Sequence, residues 1–185
     1  MRVCYNFDTR IKSMVASAPL PKLEELKEYY KYLPDTGDLI LIKSRCKADK
    51  QKLNKPIGSL GGPERRKTWV VKHKGRSYYI SRIAWLLMTG EDPGASLVEH
   101  KNRDPKDNRW TNLRLATGAE NNYNKIFVGY SRRKDTGLYR VRVTLDGKRI
   151  TVGNFETEEE AKKAAQDAQR LFYREFACLD LECFN

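Results

Sequence analysis

The residues of this chain that are best suited to chemistry lie in a polar segment between Leu97 and Lys125. Glu99 precedes His100 there, and the sequence holds only one other histidine, His73. Six asparagines follow in the same segment: Asn102, Asn108, Asn112, Asn121, Asn122 and Asn124. So many polar groups are costly to order unless they have partners, and a metal ion and a phosphate are suitable partners.

These residue types suit the hydrolysis of a phosphodiester, which needs a base for water, a cation and a stabilised leaving oxygen. His100 can be the base, because an imidazole titrates near neutral pH. Glu99 and an asparagine oxygen are hard ligands, which suit Mg²⁺ or Mn²⁺ better than zinc. Neighbouring strand residues point to opposite faces, so the two could act on opposite sides of one phosphate. The alternative is that His100 is a buried core histidine and that the asparagines cap turns.

The run from Val98 to Asn121 resembles the HNH endonucleases of phage and intron origin. It reads V-E-H-K-N-R-D-P-K-D-N-R-W-T-N-L-R-L-A-T-G-A-E-N, against a family pattern close to V-D-H-x-N-G-D-x-x-D-N-R-x-x-N-L-R-x-A-T-x-x-E-N. The resemblance implies a two-stranded hairpin and a helix around one metal ion, Mg²⁺ or Mn²⁺. By position it implies that His100 is the general base and that Asn112 orients its imidazole. It places the two metal ligands at Glu99 and Asn121.

Two positions depart from the family pattern. Glu99 stands where the family usually has aspartate, and its extra methylene could shift the metal or leave the enzyme inactive. Arg103 replaces the glycine of the hairpin turn, so we expect the turn to differ.

The overall charge indicates a polyanionic partner. The 185 residues include 36 lysines and arginines against 24 acids, which gives a net charge of +12. Nucleic acid is the usual partner of such a protein. We expect no membrane partner and a cytoplasmic location (that of a bacterial host if the gene is carried by a phage), because no long apolar run exists and residues 1–12 lack the apolar core of a signal peptide.

The four cysteines do not suggest a zinc site. Cys4, Cys46, Cys178 and Cys183 are scattered along the chain and form no CxxC pair. We therefore interpret them as reduced thiols.

The region before the motif is predicted to be strand-rich and basic. Helical spacing of apolar residues favours a helix over 23–32, and the turn chemistry of 34–38 leads into a strand at 39–42. A hairpin is expected from 69–73 and 77–80. A helix over 81–89 should follow, with Ser81 as its N-cap and Gly90 at its end. We expect Trp85, Leu86 and Met88 to pack in the core.

Basic residues are concentrated between Lys43 and Arg76, a segment that contains twelve lysines or arginines and only two acidic residues. Arg65, Arg66 and Lys67 form the densest group, among glycines and aromatic residues. Such a surface suits the phosphate backbone of DNA. The alternative is a solvated basic face without a partner.

The C-terminal part alternates apolar and basic residues, which predicts a hairpin over 138–152 turning at Asp146-Gly147. One face should carry Arg140, Arg142 and Arg149, whereas Ile150 and Val152 should face the core. A capping box at 157–160 opens a helix. Its predicted buried stripe is Ala161, Ala164, Ala165, Ala168, Leu171, Phe172 and Phe176.

Residues 129–177 resemble the AP2-type DNA-binding domain, a three-stranded sheet on one helix. The resemblance rests on a Gly-Tyr opening, the strand Tyr-Arg-Val-Arg-Val, the turn Gly-Lys-Arg-Ile and the helix start Gly-Asn-Phe-Glu-Thr-Glu-Glu-Glu-Ala. It implies that duplex DNA is bound by the basic residues Arg132, Arg133, Arg140, Arg142, Lys148 and Arg149. The alternative is a solvated sheet face.

The sequence as a whole predicts an α+β protein with a ββα-metal (HNH) core. Five segments are expected: an arm (1–22), a basic strand-rich region (23–94), the HNH motif (95–127), an AP2-like domain (128–178) and a tail (179–185). The predicted function is a site-directed homing-type DNA endonuclease, acting on double-stranded DNA. A single motif favours nicking by a monomer. The alternatives are an AP2-type regulatory protein that has lost catalysis, and an RNA-binding protein.

Overall fold

The computed structural model of the protein describes residues 19–44, 47–62, 67–125 and 128–177. The chain forms two compact units, Met1–Leu115 and Ala116–Asn185, and the predicted mixed α+β class is confirmed. The boundary falls inside the segment predicted as the HNH motif. Several predicted features lie outside the described residues: most of the arm, the tail, Arg65, Arg66 and the four cysteines Cys4, Cys46, Cys178 and Cys183.

Four helices and ten strands are found among the described residues. The first unit contains α1 (Leu23–Tyr29), β1 (Tyr30–Leu33), β2 (Asp38–Leu41), β3 (Ser59–Gly61), β4 (Thr68–His73), β5 (Arg76–Tyr79), α2 (Ile80–Thr89), β6 (Leu97–His100) and most of β7 (Leu113–Ala116). The second contains α3 (Gly118–Tyr123), β8 (Tyr130–Arg132), β9 (Tyr139–Leu145), β10 (Lys148–Phe155) and α4 (Glu158–Tyr173). No helix in these described ranges has the length and apolar character needed to cross a bilayer.

The first unit packs three small sheets around α1 and α2. The hairpin β1–β2 is one sheet, β3, β4 and β5 form a three-stranded sheet, and β6 pairs with β7. Their shared core is built from buried apolar side chains that include Leu26, Tyr30, Leu39, Leu41 and Ile83. Burial of this apolar surface is the main force that holds the unit together.

The helix predicted over 23–32 is shorter in the structure, with seven residues, and is followed directly by a strand. It ends at Tyr29, and β1 pairs antiparallel with β2. Tyr30 and Tyr32 are buried on either side of the exposed Lys31, which is the alternation of a strand. The tyrosines of this run fit the spacing of a helix and also the alternation of a strand, and pairing with β2 selects the strand.

Two predictions about helix α2, which follows β5 without a loop, are wrong. Tyr79 occupies the N-cap position and makes no side-chain capping bond, whereas Ser81 is buried inside the first turn. Met88 is exposed rather than part of the core, although Leu86 is buried. The predicted end is correct, since Gly90 caps the helix in the left-handed conformation with φ 81°.

The second unit contains a three-stranded antiparallel sheet in the order β10-β9-β8 with α4 packed on one face. The predicted capping box is present. The Thr157 side chain accepts a hydrogen bond from the Glu160 amide, and the Glu160 carboxylate accepts one from the Thr157 amide. Val141 and Val143 lie buried against Ala161, Ala165 and Ala168 of the helix.

Three residues expected in that core are exposed. Ile150 and Val152 lie on β10, which is an edge strand, and the register shifts between Thr151 and Gly153, so that Val152 sits in a bulge. Leu171 is 71% exposed, because a helix turns by about 100° per residue and this position lies off the alanine stripe. Gln169 and Tyr173 are buried instead.

Candidate active site

The predicted hairpin with a following helix is present. Strands β6 and β7 form a two-stranded sheet, and α3 begins two residues after β7 ends. The loop between the strands closes by a bond from the Lys101 amide to the Asn112 carbonyl (2.8 Å). Glu99 and His100 stand at the end of β6, immediately before this loop.

Glu99 is buried and only half satisfied. Its Oε2 accepts a hydrogen bond from Nε of Arg114 at 2.7 Å, while its Oε1 is buried and has no hydrogen-bond partner among the described residues. A buried carboxylate oxygen without a partner carries an energetic cost. A cation is the kind of ligand that would satisfy it.

The His100 ring is held by Asn108. Nε2 of His100 lies 3.0 Å from Oδ1 of the buried Asn108. When Nε2–H donates to that oxygen, the neutral ring carries its lone pair on Nδ1. Burial lowers the pKa of His100, against the opposing effects of Asn108, Asp104, Asp107 and Glu99. The imidazole is therefore kept in the neutral form that can accept a proton.

The Asn112 side chain makes its hydrogen bonds within the loop, and its predicted role in orienting the imidazole stays a prediction. Its Nδ2 donates to Oδ1 of Asn102 (2.9 Å) and to the Asp107 carbonyl (2.7 Å), and its Oδ1 accepts from the Asn102 amide (2.9 Å). These bonds join the two sides of the loop. The residue that contacts the ring, Asn108, was not singled out from the sequence, because the family pattern, which four asparagines match, does not indicate which of them contacts the imidazole.

Asp107 fixes the same loop through charge. Arg109 donates to it from Nε (2.8 Å) and from a terminal nitrogen (2.6 Å), and Asn102 adds a third bond (2.8 Å). The Arg109 guanidinium lowers the pKa of Asp107 to about 2. The carboxylate therefore stays ionised and holds its partners across the working pH range.

Arg103, which stands at the position of the family's turn glycine, has a left-handed backbone conformation. Its φ is 64°, in the left-handed region, and its amide donates to the His100 carbonyl at 3.0 Å. The expected difference from the family's turn stays a prediction. The left-handed conformation is strained for a residue with a side chain.

We expect the Arg103→Gly variant to be more stable than Arg103→Ala by about 0.5–1 kcal/mol. The left-handed conformation costs a residue with a Cβ about 1–2 kcal/mol, and the greater freedom of glycine in the unfolded chain returns about 0.4–1 kcal/mol. Both variants lose the arginine side chain, so their difference isolates the backbone. Urea unfolding measures it, and equal stabilities would show that the turn relaxes.

Asn121 lies on α3 in the second unit, where it is partly buried. The helix opens with a capping box between Thr117 and Glu120. Tyr123 at its end stacks on Tyr173, with ring centroids 4.2 Å apart and an interplanar angle of 3°. The metal-binding role of Asn121 with Glu99 stays a prediction.

Side chains of the usual metal-ligating kinds do not form a cluster here. In the described ranges, no group of three or more histidine, cysteine, aspartate or glutamate side chains is placed to hold an ion. A cation at this hairpin would depend on the Glu99 carboxylate with amide or substrate oxygens. The unsatisfied Oε1 of Glu99 fits that donor set.

The predicted arginine face is found in the second unit. In the β9–β10 ladder Arg140 pairs with Asn154, Arg142 with Thr151, and Thr144 with Arg149. Directly paired residues share a face, so the three arginines lie opposite Val141 and Val143, the side that packs on α4. Helix α4 packs on the opposite face of the sheet.

The other predicted DNA contacts are placed differently. Arg132 pairs with Tyr139 and lies on the helix side, with its guanidinium 5.8 Å from the Tyr139 ring centre. Arg133 pairs with Asp135. Lys148 is exposed at the start of β10, and Lys67 precedes β4 in the first unit.

Residues 78–123 match the HNH endonuclease family, so an HNH endonuclease domain is present there. The matched range runs from the end of β5 to the end of α3 and contains Glu99, His100, Asn112 and Asn121. This family match supports a nuclease that hydrolyses DNA, and HNH nucleases in general use a divalent metal ion. No curated protein and no solved structure matches the chain.

Proposed function

We propose that the protein is a site-directed DNA endonuclease of the homing type, which nicks double-stranded DNA with one divalent metal ion, Mg²⁺ or Mn²⁺. One observation carries the proposal. Within the HNH domain, Asn108 holds the ring of His100 beside Glu99, a buried carboxylate with one oxygen that no described residue hydrogen-bonds.

The residues of the hairpin divide the work of hydrolysis. Nδ1 of His100 takes a proton from water, the water oxygen forms a bond to phosphorus, and the bond from phosphorus to the 3′ oxygen breaks. Asn108 keeps the ring in the required tautomer and orientation. Arg114 holds Glu99 in place through Oε2. A cation held by Glu99 and Asn121 would supply charge stabilisation to the phosphate.

Cleavage of a supercoiled plasmid tests the proposal. With Mg²⁺ or Mn²⁺ we expect open-circular DNA to accumulate before linear DNA, and we expect a chelator to abolish the reaction. Cleavage that persists in the chelator would exclude the metal. Linear DNA without an open-circular precursor would exclude nicking.

The second unit is proposed to place the nuclease on its target. Its three-stranded sheet, the helix α4 packed on one side of that sheet and the three arginines on the other side support its assignment as an AP2-like DNA-binding domain. The net charge of +12 supplies sequence-independent attraction to the duplex. We further propose that the protein acts as a monomer in the cytoplasm.

We expect the arginines of this face to separate into two classes when each is changed to alanine. Loss of a phosphate contact from Arg140, Arg142 or Arg149 should lower the slope of log affinity against log salt by roughly 0.9, equally on all sequences. Loss of a base contact should cost about 1–3 kcal/mol and relax preference at one position. Binding titrations at several salt concentrations on matched and scrambled duplexes separate the two.

The control for that series is Lys163→Ala, which removes one positive charge from an exposed position of α4. If all four variants behave alike, the sheet is a solvated face. Point variants are preferable to deleting residues 128–178, because Tyr123 of the HNH domain stacks on Tyr173 and its hydroxyl accepts from the Asp146 amide at 3.0 Å. A deletion would expose Tyr123 and disturb α3.

A second function is favoured by the ion pair at Glu99. Arg114 places a positive charge 2.7 Å from the carboxylate, which opposes binding of a cation. In that case the chain would be an AP2-type DNA-binding regulatory protein that has lost catalysis. Duplex binding without cleavage in any divalent metal would establish this function.

A further inference from the structure

A buried tyrosine of the N-terminal hairpin contacts the loop that holds His100. The Tyr32 hydroxyl, on β1, donates a hydrogen bond of 2.6 Å to the backbone carbonyl of Asn108. Tyr32 is 7% exposed and Asn108 is 3% exposed. The Asn108 side chain, in turn, accepts from Nε2 of His100. Two hydrogen bonds therefore connect β1 to the imidazole.

The turn after β1 contacts the same peptide. Gly37 has φ 79°, and a Cβ built on it would lie 2.5 Å from both the Arg109 nitrogen and the Asn108 carbonyl carbon. The Trp110 amide donates to the Pro34 carbonyl at 2.9 Å. The turn therefore lies against the Asn108–Arg109 peptide so closely that no side chain fits between them.

We propose that Tyr32 and Gly37 are positioning residues for His100, and that the β1–β2 hairpin is a working part of the HNH active site rather than a separate support. The proposal rests on the proposed endonuclease function. It extends the site to a hairpin that lies before the matched range 78–123. Neither residue contacts the reacting atoms. Each acts through Asn108.

The physical reason is the cost of moving a buried peptide. Without the phenol, the Asn108 carbonyl loses a hydrogen bond in a place that water does not easily reach. Burial raises the pKa of Tyr32, so the hydroxyl remains a donor at any working pH. A shift of Asn108 changes the direction from which its side chain meets the ring, and small misplacements of a catalytic group reduce rates strongly.

The chain supplies a matched control on the same strand. Tyr30 is also a buried tyrosine of β1, but its hydroxyl lies 2.8 Å from Nδ1 of His73. Tyr30→Phe and Tyr32→Phe remove the same group two residues apart. Because the protein has only two histidines, the ring nitrogens of His73 and His100 give separate signals in a long-range ¹H–¹⁵N spectrum.

We expect Tyr32→Phe to shift the His100 ring nitrogen signals and leave those of His73 in place. Tyr30→Phe should do the reverse. On a duplex substrate, Tyr32→Phe should lower kcat by roughly ten- to a hundredfold with KM for DNA unchanged, whereas Tyr30→Phe should leave kcat within about twofold of the parent. A merely structural role of Tyr32 would move neither the His100 signals nor kcat of the folded protein.

A second pair of variants tests the turn. Gly37→Ala and Gly75→Ala place the same side chain on glycines of almost equal φ, 79° and 81°. A Cβ at Gly75 meets nothing within 4 Å, so the pair matches the backbone strain and differs in the contact with Asn108. Gly37→Ala should shift the His100 signals and lower kcat. Gly75→Ala should do neither.

Unchanged His100 signals in both Tyr32→Phe and Gly37→Ala would overturn the proposal, and so would equal effects of each variant and its control. The spectrum is recorded without metal or DNA and does not depend on cleavage. If the parent protein does not cut DNA, the endonuclease proposal fails, while the spectrum still decides whether the hairpin positions His100.

Discussion

Replacement of His100 by alanine should leave duplex binding unchanged and lower the rate of DNA cleavage by roughly 10²- to 10⁴-fold, which is the usual contribution of a general base. The ring sits at the end of β6, with Nε2 occupied by Asn108 and its pKa lowered by burial. The only other histidine in the sequence, His73, is hydrogen-bonded to Tyr30 and Glu25. Single-turnover cleavage with saturating protein measures the effect.

His73→Gln is the control for this experiment. His73 is buried at 2% exposure and lies in the first unit's core, so its replacement should lower the free energy of unfolding. It should leave the cleavage rate of the folded protein nearly unchanged. Cleavage by His100→Ala within about threefold of the parent would remove His100 from the role of base.

Glu99→Gln should abolish cleavage in Mg²⁺ and remove the Mn²⁺ binding that we expect calorimetry to detect in the parent. The substitution keeps the size of the side chain and an oxygen that Arg114 can bond, but it removes the negative charge that attracts a cation. It is a cleaner test than alanine. Glu99→Ala breaks the ion pair with the Arg114 side chain, which is 12% exposed, and breaking a buried ion pair costs about 3–5 kcal/mol.

Glu99→Asp is the matched partner of that variant, since it keeps the charge and restores the residue that the family usually has. We expect it to retain or raise Mg²⁺-supported cleavage. Arg114 has a long, flexible side chain that can follow a carboxylate shortened by one methylene. Equal metal binding by the parent, Glu99→Gln and Glu99→Asp would remove Glu99 from the metal site.

The sequence determined the features that depend on residues close together in the chain. The turn at Asp146-Gly147 and the capping box at Thr157 were predicted and are present, because each is specified by a few neighbouring residues. The spacing of the HNH motif likewise placed Glu99 and His100 on one hairpin strand followed by a short helix. Local patterns of this kind leave little choice to the rest of the fold.

Packing between distant segments decided the rest. Tyr30 and Tyr32 fitted both a helix and a strand until pairing with β2 selected the strand. Ile150 had the spacing of a core residue, but β10 is an edge strand, so its side chain is exposed. Where a segment fits both helical and strand spacing, the element it packs against decides which structure forms.

The support of the candidate base is also a tertiary property. Asn108 was one of four asparagines that match the family pattern, which does not indicate which of them contacts the imidazole, and Tyr32 lies 76 residues before it in the chain. The motif names the residue that can accept a proton, since imidazole chemistry belongs to the side chain itself. Which groups hold that ring depends on which buried donors and acceptors meet when the chain folds, and spacing along the sequence does not contain this information.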